Sequence, residues 1–299
     1  MKQLLIISGK GGTGKTVITA SLAHLLKNKV IVDCDVDAAD LHILLHPRIK
    51  EKHSFQGTPK AKIDLEQCTG CGECIKVCKY DAISPQFIVD PVSCEGCRVC
   101  KYICAVQAIT MKENISGEWY ISETEYGLFL HAKLGIAEEN SGKLVSVVRQ
   151  RAKETAEKKN ADYVLIDGPP GIGCPVIASI TGADLVLVVT EPTLSGLHDL
   201  DRVADLTGHF QIPALVCVNK WDLNPQVSSR IEARARQRGL VLAQKVRYDT
   251  VVTEAQVRGR TVVEYERDGC AEDIRRLWDV VREELRKPKD LGGAPAGGQ

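Results

Sequence analysis

From residue 3 to residue 219 the chain keeps repeating one pattern: a short apolar run, a turn, then a longer stretch of helical period. The apolar runs fall at residues 3–8, 29–33, 163–167, 184–190 and 214–219. They are continuous rather than alternating with polar residues, which predicts strands buried on both faces of a parallel sheet. Helical spacing occupies 15–27, 143–159, 195–207, 225–238 and 271–286. Strand–helix alternation of this kind predicts an α/β fold with a doubly wound, mostly parallel sheet.

One window breaks the rhythm. Eight of the 12 cysteines lie between Cys68 and Cys104. They sit in an internal repeat: residues 68–83 read CTGCGECIKVCKYDAI and residues 94–109 read CEGCRVCKYICAVQAI, 26 positions apart. Two copies of one short unit predict a small pseudo-symmetric α+β module inserted into the larger domain. Its edges fall near Ala61 and Lys112, with turn-rich joints at 57–59 and 114–117. The expected organisation is residues 1–60 and 113–288 as two parts of one α/β domain, 61–112 as the insert, and 289–299 as a tail. That tail ends GGAPAGGQ, has nothing to pack, and is expected to be disordered.

Composition narrows the function classes. Hydrophobic residues make up 44% of 299 and charged residues 26%, the balance of a globular protein. Lys+Arg and Asp+Glu are both 39, so there is no net charge, which argues against a globally basic nucleic-acid binder. No apolar run reaches the roughly 18 residues of a membrane span, and the first residues read as a strand rather than a signal peptide. A cytoplasmic location is expected. In a reducing compartment, clustered thiols bind metal more readily than they form disulfides.

The first strand runs into Gly9-Lys10-Gly11-Gly12-Thr13-Gly14-Lys15-Thr16, which fits G-x-x-x-x-G-K-[ST]. Glycines let backbone N–H groups turn inward around phosphates, and the following helix presents its positive end. Lys15 can then meet the β- and γ-phosphates, and the Thr16 hydroxyl can ligate Mg2+. Residues 10–16, KGGTGKT, resemble the deviant Walker A loop of the MinD/ParA family of P-loop ATPases. That resemblance implies that Lys10 reaches across an ATP-bound dimer to the partner's phosphates. Residues 30–41, VIVDCDVDAADL, are similar to the family's second strand and switch I. Asp35 would there position or activate the attacking water, with Asp33 at the strand end and Asp37 and Asp40 as helix-start residues. Residues 164–171, VLIDGPPG, resemble Walker B and switch II. Asp167 would hold Mg2+, and Gly171 would respond to the γ-phosphate.

Base recognition has two readings. Residues 218–223, VNKWDL, resemble the adenine-contact strand end of MinD-like proteins but also read as the N-K-x-D element of GTPases. Asn219 suits either purine, because its amide offers both donor and acceptor; Asp222 favours guanine only if it reaches the base. The other motifs favour ATP. Arg247, Tyr248 and Asp249 stand where relatives carry a proline-containing base-contact loop, and the proline is missing.

Each half of the insert carries C-x2-C-x2-C-x3-C: Cys68, Cys71, Cys74, Cys78, then Cys94, Cys97, Cys100, Cys104. This is the ligand run of bacterial-type [4Fe–4S] ferredoxins, whose fourth cysteine serves the other cluster. The resemblance implies one cluster on Cys68, Cys71, Cys74 and Cys104, and a second on Cys94, Cys97, Cys100 and Cys78. Zinc is the alternative, though its C-x2-C pairs are usually further apart. Lys79 and Ala105 replace the proline that ordinarily follows the fourth ligand. Tyr80 and Tyr102 are expected to pack beside the clusters as ordinary core.

Other candidates carry less. Cys34, Cys217 and Cys270 read as small buried hydrophobes, while Cys174, just after switch II, is the leftover thiol to watch for redox or metal contact. His42 and His46 are spaced to share a helix face. Arg230, Arg234, Arg236 and Arg238 form a basic helix patch that reads as a solvated face.

The whole chain thus resembles a MinD/ParA-type ATPase carrying an inserted two-cluster ferredoxin domain. It implies ATP, Mg2+ and two [4Fe–4S] clusters as cofactors. It also implies a homodimer or paralogue heterodimer in the ATP state and a redox or metalloprotein client, with neither membrane nor nucleic acid expected. Two rivals stand beside electron transfer or metal-centre maturation. One is an iron–sulfur carrier whose clusters are cargo; the other is a ParA/MinD-like spatial regulator with a structural ferredoxin.

Overall fold

The structure is a computed structural model and describes residues 1–135 and 141–287. The expected tail at 289–299 lies outside the described residues. In chain order, β1 (Lys2–Ser8), α1 (Lys15–Leu25), β2 (Lys29–Asp33) and α2 (Leu41–Leu45) lead to β3 (Arg48–Gln56). Then come β4 (Lys60–Ile63), α3 (Glu73–Val77), α4 (Val99–Ile103) and β5 (Ile109–Lys112), followed by β6 (Ile115–Thr124) and β7 (Gly127–Leu134). The remainder is α5 (Ser141–Lys158), β8 (Tyr163–Pro170), α6 (Cys174–Ile180), β9 (Leu185–Thr190), α7 (Leu194–His209) and β10 (Ala214–Asn219). It closes with α8 (Pro225–Gln237), β11 (Val241–Val246), α9 (Val251–Val257), α10 (Val262–Tyr265) and α11 (Cys270–Arg286).

Nine strands form one sheet in the order β11-β10-β9-β1-β8-β2-β7-β6-β3. Pairing is parallel from β11 through β7 and antiparallel for β7–β6 and β6–β3. β1 shows why its run is continuous. Leu4 and Ile6 enter the core under α1 and α11, while Leu5 and Ile7 enter the opposite core under α5, α6 and α7. All four are fully buried.

The five expected strands and five expected helices are present, with ends moved by a few residues. Four strands of the large sheet are additional. β3, RIKEKHSFQ, is an edge strand whose residues are nearly all exposed, so it offers no apolar run. β6 and β7 mix buried and partly exposed positions, and β11 is largely exposed or half-buried. The segment 114–117, expected to be a turn-rich joint, instead starts β6, because residues 115 and 117 pair with Gln56 and Phe55 of β3.

Residues 60–112 stand apart from this sheet. β4 and β5 pair only with each other, Lys60 opposite Lys112 and Ile63 opposite Ile109. Ala61, Ile63, Cys74, Ala82, Ile83, Cys94, Cys100 and Ile109 form a separate small core.

Candidate functional site

The residues of the first strand's loop turn around a cavity of about 590 Å3, bordered by residues 11–16, Asp35, Asn219 and the stretch 247–249. Gly14 takes φ +88°, and a Cβ there would meet Asn219 Nδ2 at 2.3 Å, so this position requires glycine. The Asn219 Nδ2 donates to the Thr13 carbonyl at 2.7 Å, and Lys220 Nζ donates to the Gly12 carbonyl at 3.1 Å. The tip of β10 thereby holds the loop open. Thr13 Oγ1 is buried without a hydrogen-bond partner, a polar atom in the loop with capacity for a ligand oxygen.

Beneath the loop, strand ends bring three carboxylates to one lysine. Lys15 Nζ lies 2.9 Å from Asp167 Oδ1 and 3.8 Å from Asp35 Oδ2. Thr16 and Thr19 hydroxyls both donate to Asp167, at 2.9 and 2.7 Å. Burial opposes the Lys15 charge, but Asp167, Asp33 and Asp35 outweigh it and hold the lysine pKa above its ordinary value. Burial, helped by Asp167, pushes the enclosed Asp33 carboxyl well up. Its oxygens accept from the Asp35 and Leu41 N–H groups at 3.0 and 3.4 Å, shaping the switch I segment. Burial raises Asp35 to about 6, with Lys15 pulling the other way. A hydroxyl beside a carboxylate is an oxygen donor set that suits Mg2+, so Thr16 and Asp167 fit that ion. Gly171, at φ +88°, donates its N–H to the Ser8 carbonyl at 2.8 Å, placing switch II against the loop.

Lys10 points elsewhere. Its Nζ lies 2.8 Å from Glu191 Oε1 and donates to Thr193 Oγ1 at 3.2 Å and Ser195 Oγ at 3.0 Å. Glu191 also meets Lys220 at 3.3 Å, and these lysines hold its carboxyl below the ordinary range despite partial burial. Gly9, Lys10, Asp167 and Asp222 do not border the cavity. Thr19, Glu191, Thr193, Ser195 and Lys220 escaped the sequence reading. Three of them fall in E-P-T-L-S, the stretch directly after the β9 apolar run.

Asp222 accepts the Tyr248 N–H at 2.7 Å, so its carboxylate anchors the loop after β11. Arg247 is held by Asp273 through bonds of 2.7 and 2.9 Å. Arg247, Tyr248 and Asp249 therefore form one wall of the cavity without the missing proline.

The insert places its eight cysteines around two cavities. One is bordered by Cys68, Cys71, Cys74 and Cys104, the other by Cys78, Cys94, Cys97 and Cys100. Each cavity thus draws its fourth sulfur from the other half of the repeat. Burial raises the Cys100 thiol, and the neighbours that add to this are Cys94, Cys97 and Cys78. Among the described residues, no group of three or more His, Cys, Asp or Glu side chains is arranged to hold a single metal ion. Eight thiols in two sets of four are the donor chemistry of [4Fe–4S] clusters. Tyr80 borders the second cavity but is 47% exposed, and Tyr102 is 82% exposed, so neither is ordinary core.

The remaining candidates resolve individually. Cys34, Cys217 and Cys270 are buried, and burial pushes Cys34 and Cys270 to about 12. Cys174 is exposed at the start of α6. Helix α2 ends before His46, whose Nε2 meets the Gly259 carbonyl at 2.7 Å, so His42 and His46 do not share a helix face. Asp40 takes the N-cap position of α2 without a side-chain cap bond. Arg234 and Arg238 pair with Asp201, Arg238 also with Asp205, and Arg236 with Glu232, so most of that basic patch is neutralised.

A parallel sheet with a glycine loop, lysine, threonine and buried aspartate at its strand ends defines a P-loop nucleotide-binding protein. Residues 4–262 match the model of the CobQ/CobB/MinD/ParA nucleotide-binding domain. The chain belongs to that family. An uncharacterised protein of Methanocaldococcus jannaschii is 37% identical over 227 residues, 74% of this chain and 79% of that one. A second uncharacterised protein of that organism is 25% identical, over 89% of this chain and 94% of its own. Among solved structures, the septum site-determining protein MinD of Pyrococcus horikoshii, complexed with Mg-ADP, has a TM-score of 0.60 at 20% identity. It covers 94% of this chain and 95% of that one. An ATP complex of Cyanothece McdA has a TM-score of 0.56 at 17% identity, over 98% and 99% of the two chains. The fold is MinD-like. No helix among the described residues is long and apolar enough to cross a membrane.

Proposed function

We propose that this protein is an ATP-hydrolysing, nucleotide-switched dimer that couples the ATP cycle to a two-cluster iron–sulfur module at residues 61–112. The reading has the module deliver electrons to, or assist metal-centre assembly on, a partner protein. The observation that carries it is one chain holding both a P-loop cavity and two four-cysteine cavities.

At the nucleotide site, Lys15 and the loop N–H groups bind phosphate oxygens, while Asp35 holds and orients a water for attack on the γ-phosphate. Mg2+, held by Thr16 and Asp167, would neutralise developing phosphate charge. Asp222 accepts the Tyr248 N–H and does not border the cavity, which supports ATP over a guanine nucleotide. Lys10 would leave Glu191 to serve the partner's nucleotide. The homodimer is the simplest form; a paralogue partner is the variant suggested by two similar proteins in one organism.

A series of hydrogen bonds runs from the nucleotide site toward the insert. After Asp35, the Val36 carbonyl accepts from Leu134 N–H at 3.3 Å, and the Ser116 carbonyl accepts from Gly135 N–H at 2.8 Å. Asn114 Nδ2 donates to Ser116 Oγ at 2.9 Å, and its carbonyl accepts from Gly57 N–H at 3.0 Å. Gly57 and Asn114 are the two chain crossings at the foot of the insert. A displacement of switch I would therefore reach the base of the module through four hydrogen bonds. The clusters, when bound, supply one-electron chemistry.

Anaerobic reconstitution with iron and sulfide tests the reading. About eight iron per chain, visible charge-transfer absorption and ATP turnover are expected; zinc binding without that absorption refutes it. The fold likeness to MinD supports a spatial regulator as second reading, and nucleotide-dependent capture of DNA or lipid vesicles would favour it.

A further inference from the structure

We infer that the two four-cysteine sites are electrically unequal, and that the site of Cys78, Cys94, Cys97 and Cys100 accepts an electron more readily because of Arg98. This rests on the reading that both sites hold [4Fe–4S] clusters.

A shift of 26 residues pairs Gly70 with Gly96, Asp81 with Gln107, and Gly72 with Arg98. The backbone obeys the same pairing: φ is +72° and +64° for the first pair, +50° and +55° for the second, and +77° and +69° for the third. At the last position the first half uses glycine, the residue that takes a left-handed conformation without strain. The second half holds an arginine in that same unfavourable conformation. Glycine serves the backbone better there, so the arginine's contribution lies in its side chain. Arg98 borders the second cavity.

The charges near the two sites differ by about one unit. Glu73 borders the first cavity and pairs with Lys76 at 2.7 Å, leaving no net side-chain charge. The second is bordered by Glu95 and Arg98, and Lys60 Nζ donates to the carbonyl of its ligand Cys94 at 2.7 Å. Asp90, close enough to Lys60 to feel its charge, corresponds to Asp64 in the first half, so these two carboxylates cancel between the sites and the second site keeps one more positive charge. An electron entering either site adds one negative charge, with no bond made or broken, so the cation-flanked site is favoured. One contact opposes this: Ala108 N–H donates to Cys104 Sγ at 3.3 Å, stabilising negative charge at the first site. That dipole offsets part of the difference, and the full charge, the larger source, sets the order.

The test is a potentiometric titration of the full chain, reconstituted with iron and sulfide, followed by electron paramagnetic resonance and visible absorption with a low-potential one-electron reductant. Two reduction steps are expected. Arg98→Gly, which suits the backbone, should lower the upper step, leave the lower step in place and retain full iron. Arg98→Lys should keep the upper step near its original potential. Cys100→Ser should abolish the upper step. The gap between steps should narrow with added salt, since exposed charges are screened. An upper step unmoved or raised in Arg98→Gly, or a lower step lost in Cys100→Ser, overturns the assignment. A chain that takes up no iron fails the cluster reading itself, and this inference with it; iron content separates the two failures.

Discussion

In the structure Lys10 belongs to its own subunit, held by Glu191, Thr193 and Ser195. If it serves a partner's phosphates, that hold competes with dimer closure. Glu191→Gln removes the charge but leaves a neutral acceptor in place. The two side chains are 32% and 17% exposed, so solvent screens the pair as it does a surface one, worth about 0.2–1 kcal/mol. Lys220 keeps its bond to the Gly12 carbonyl, so the loop is not released. Both separated subunits of a homodimer lose that stabilisation, so ATP-dependent dimerisation should tighten by about 2- to 30-fold. Sedimentation velocity with ATP, and with ADP as control, reads this directly. Lys10→Ala in the same assay should remove the ATP-dependent dimer while nucleotide still binds through Lys15. A weaker dimer in Glu191→Gln would show that Glu191 acts within the dimer. An unchanged dimer in Lys10→Ala would refute the trans role.

Three further outcomes are expected. Gly14→Ala places a Cβ 2.3 Å from Asn219 Nδ2 at φ +88°, so it should cost at least about 1 kcal/mol of stability and abolish ADP binding by calorimetry. Gly11→Ala, whose Cβ meets nothing within 4 Å, should leave the melting temperature unchanged; equal losses would refute the geometric account. Burial raises the Asp35 carboxyl to about 6. A raised folded value means its contribution to stability is complete below the ordinary value of 3.8 and lost as pH rises through about 6. Asp35→Asn should therefore gain stability relative to the natural chain over that window, while hydrolysis by the natural chain should fall as pH drops through about 6. A melting-temperature difference flat in pH would contradict this. Finally, Asp222→Ala should weaken ATP and GTP alike in competition binding, because it frees the Tyr248 loop. Selective loss of GTP would show that Asp222 reads the base.

Legibility followed the range of the interactions concerned. The phosphate loop was readable because its glycines, lysine and threonine act through adjacent backbone, and strand–loop–helix context lies in the same short stretch. Continuous apolar runs announced the inner strands because both faces of those strands are dry. β3 was not legible, since an edge strand of RIKEKHSFQ is held by its pairing with β6, about 70 residues away, rather than by apolar burial. His46 likewise looked like a partner for His42 until helix α2 ended one residue short of it.

The sequence by itself determined the chemistry available to this protein: a phosphate-binding loop, strand-end carboxylates and two cysteine quartets whose spacing suits clusters. Those depend on residue type and separations of a few positions. Only the tertiary structure decided how that chemistry is disposed. It put Lys10 on Glu191 and Asp222 on the Tyr248 backbone. It tied switch I to the foot of the insert. Each of these contacts joins residues that the chain brings together only when the sheet and the insert have folded, and no local pattern encodes them.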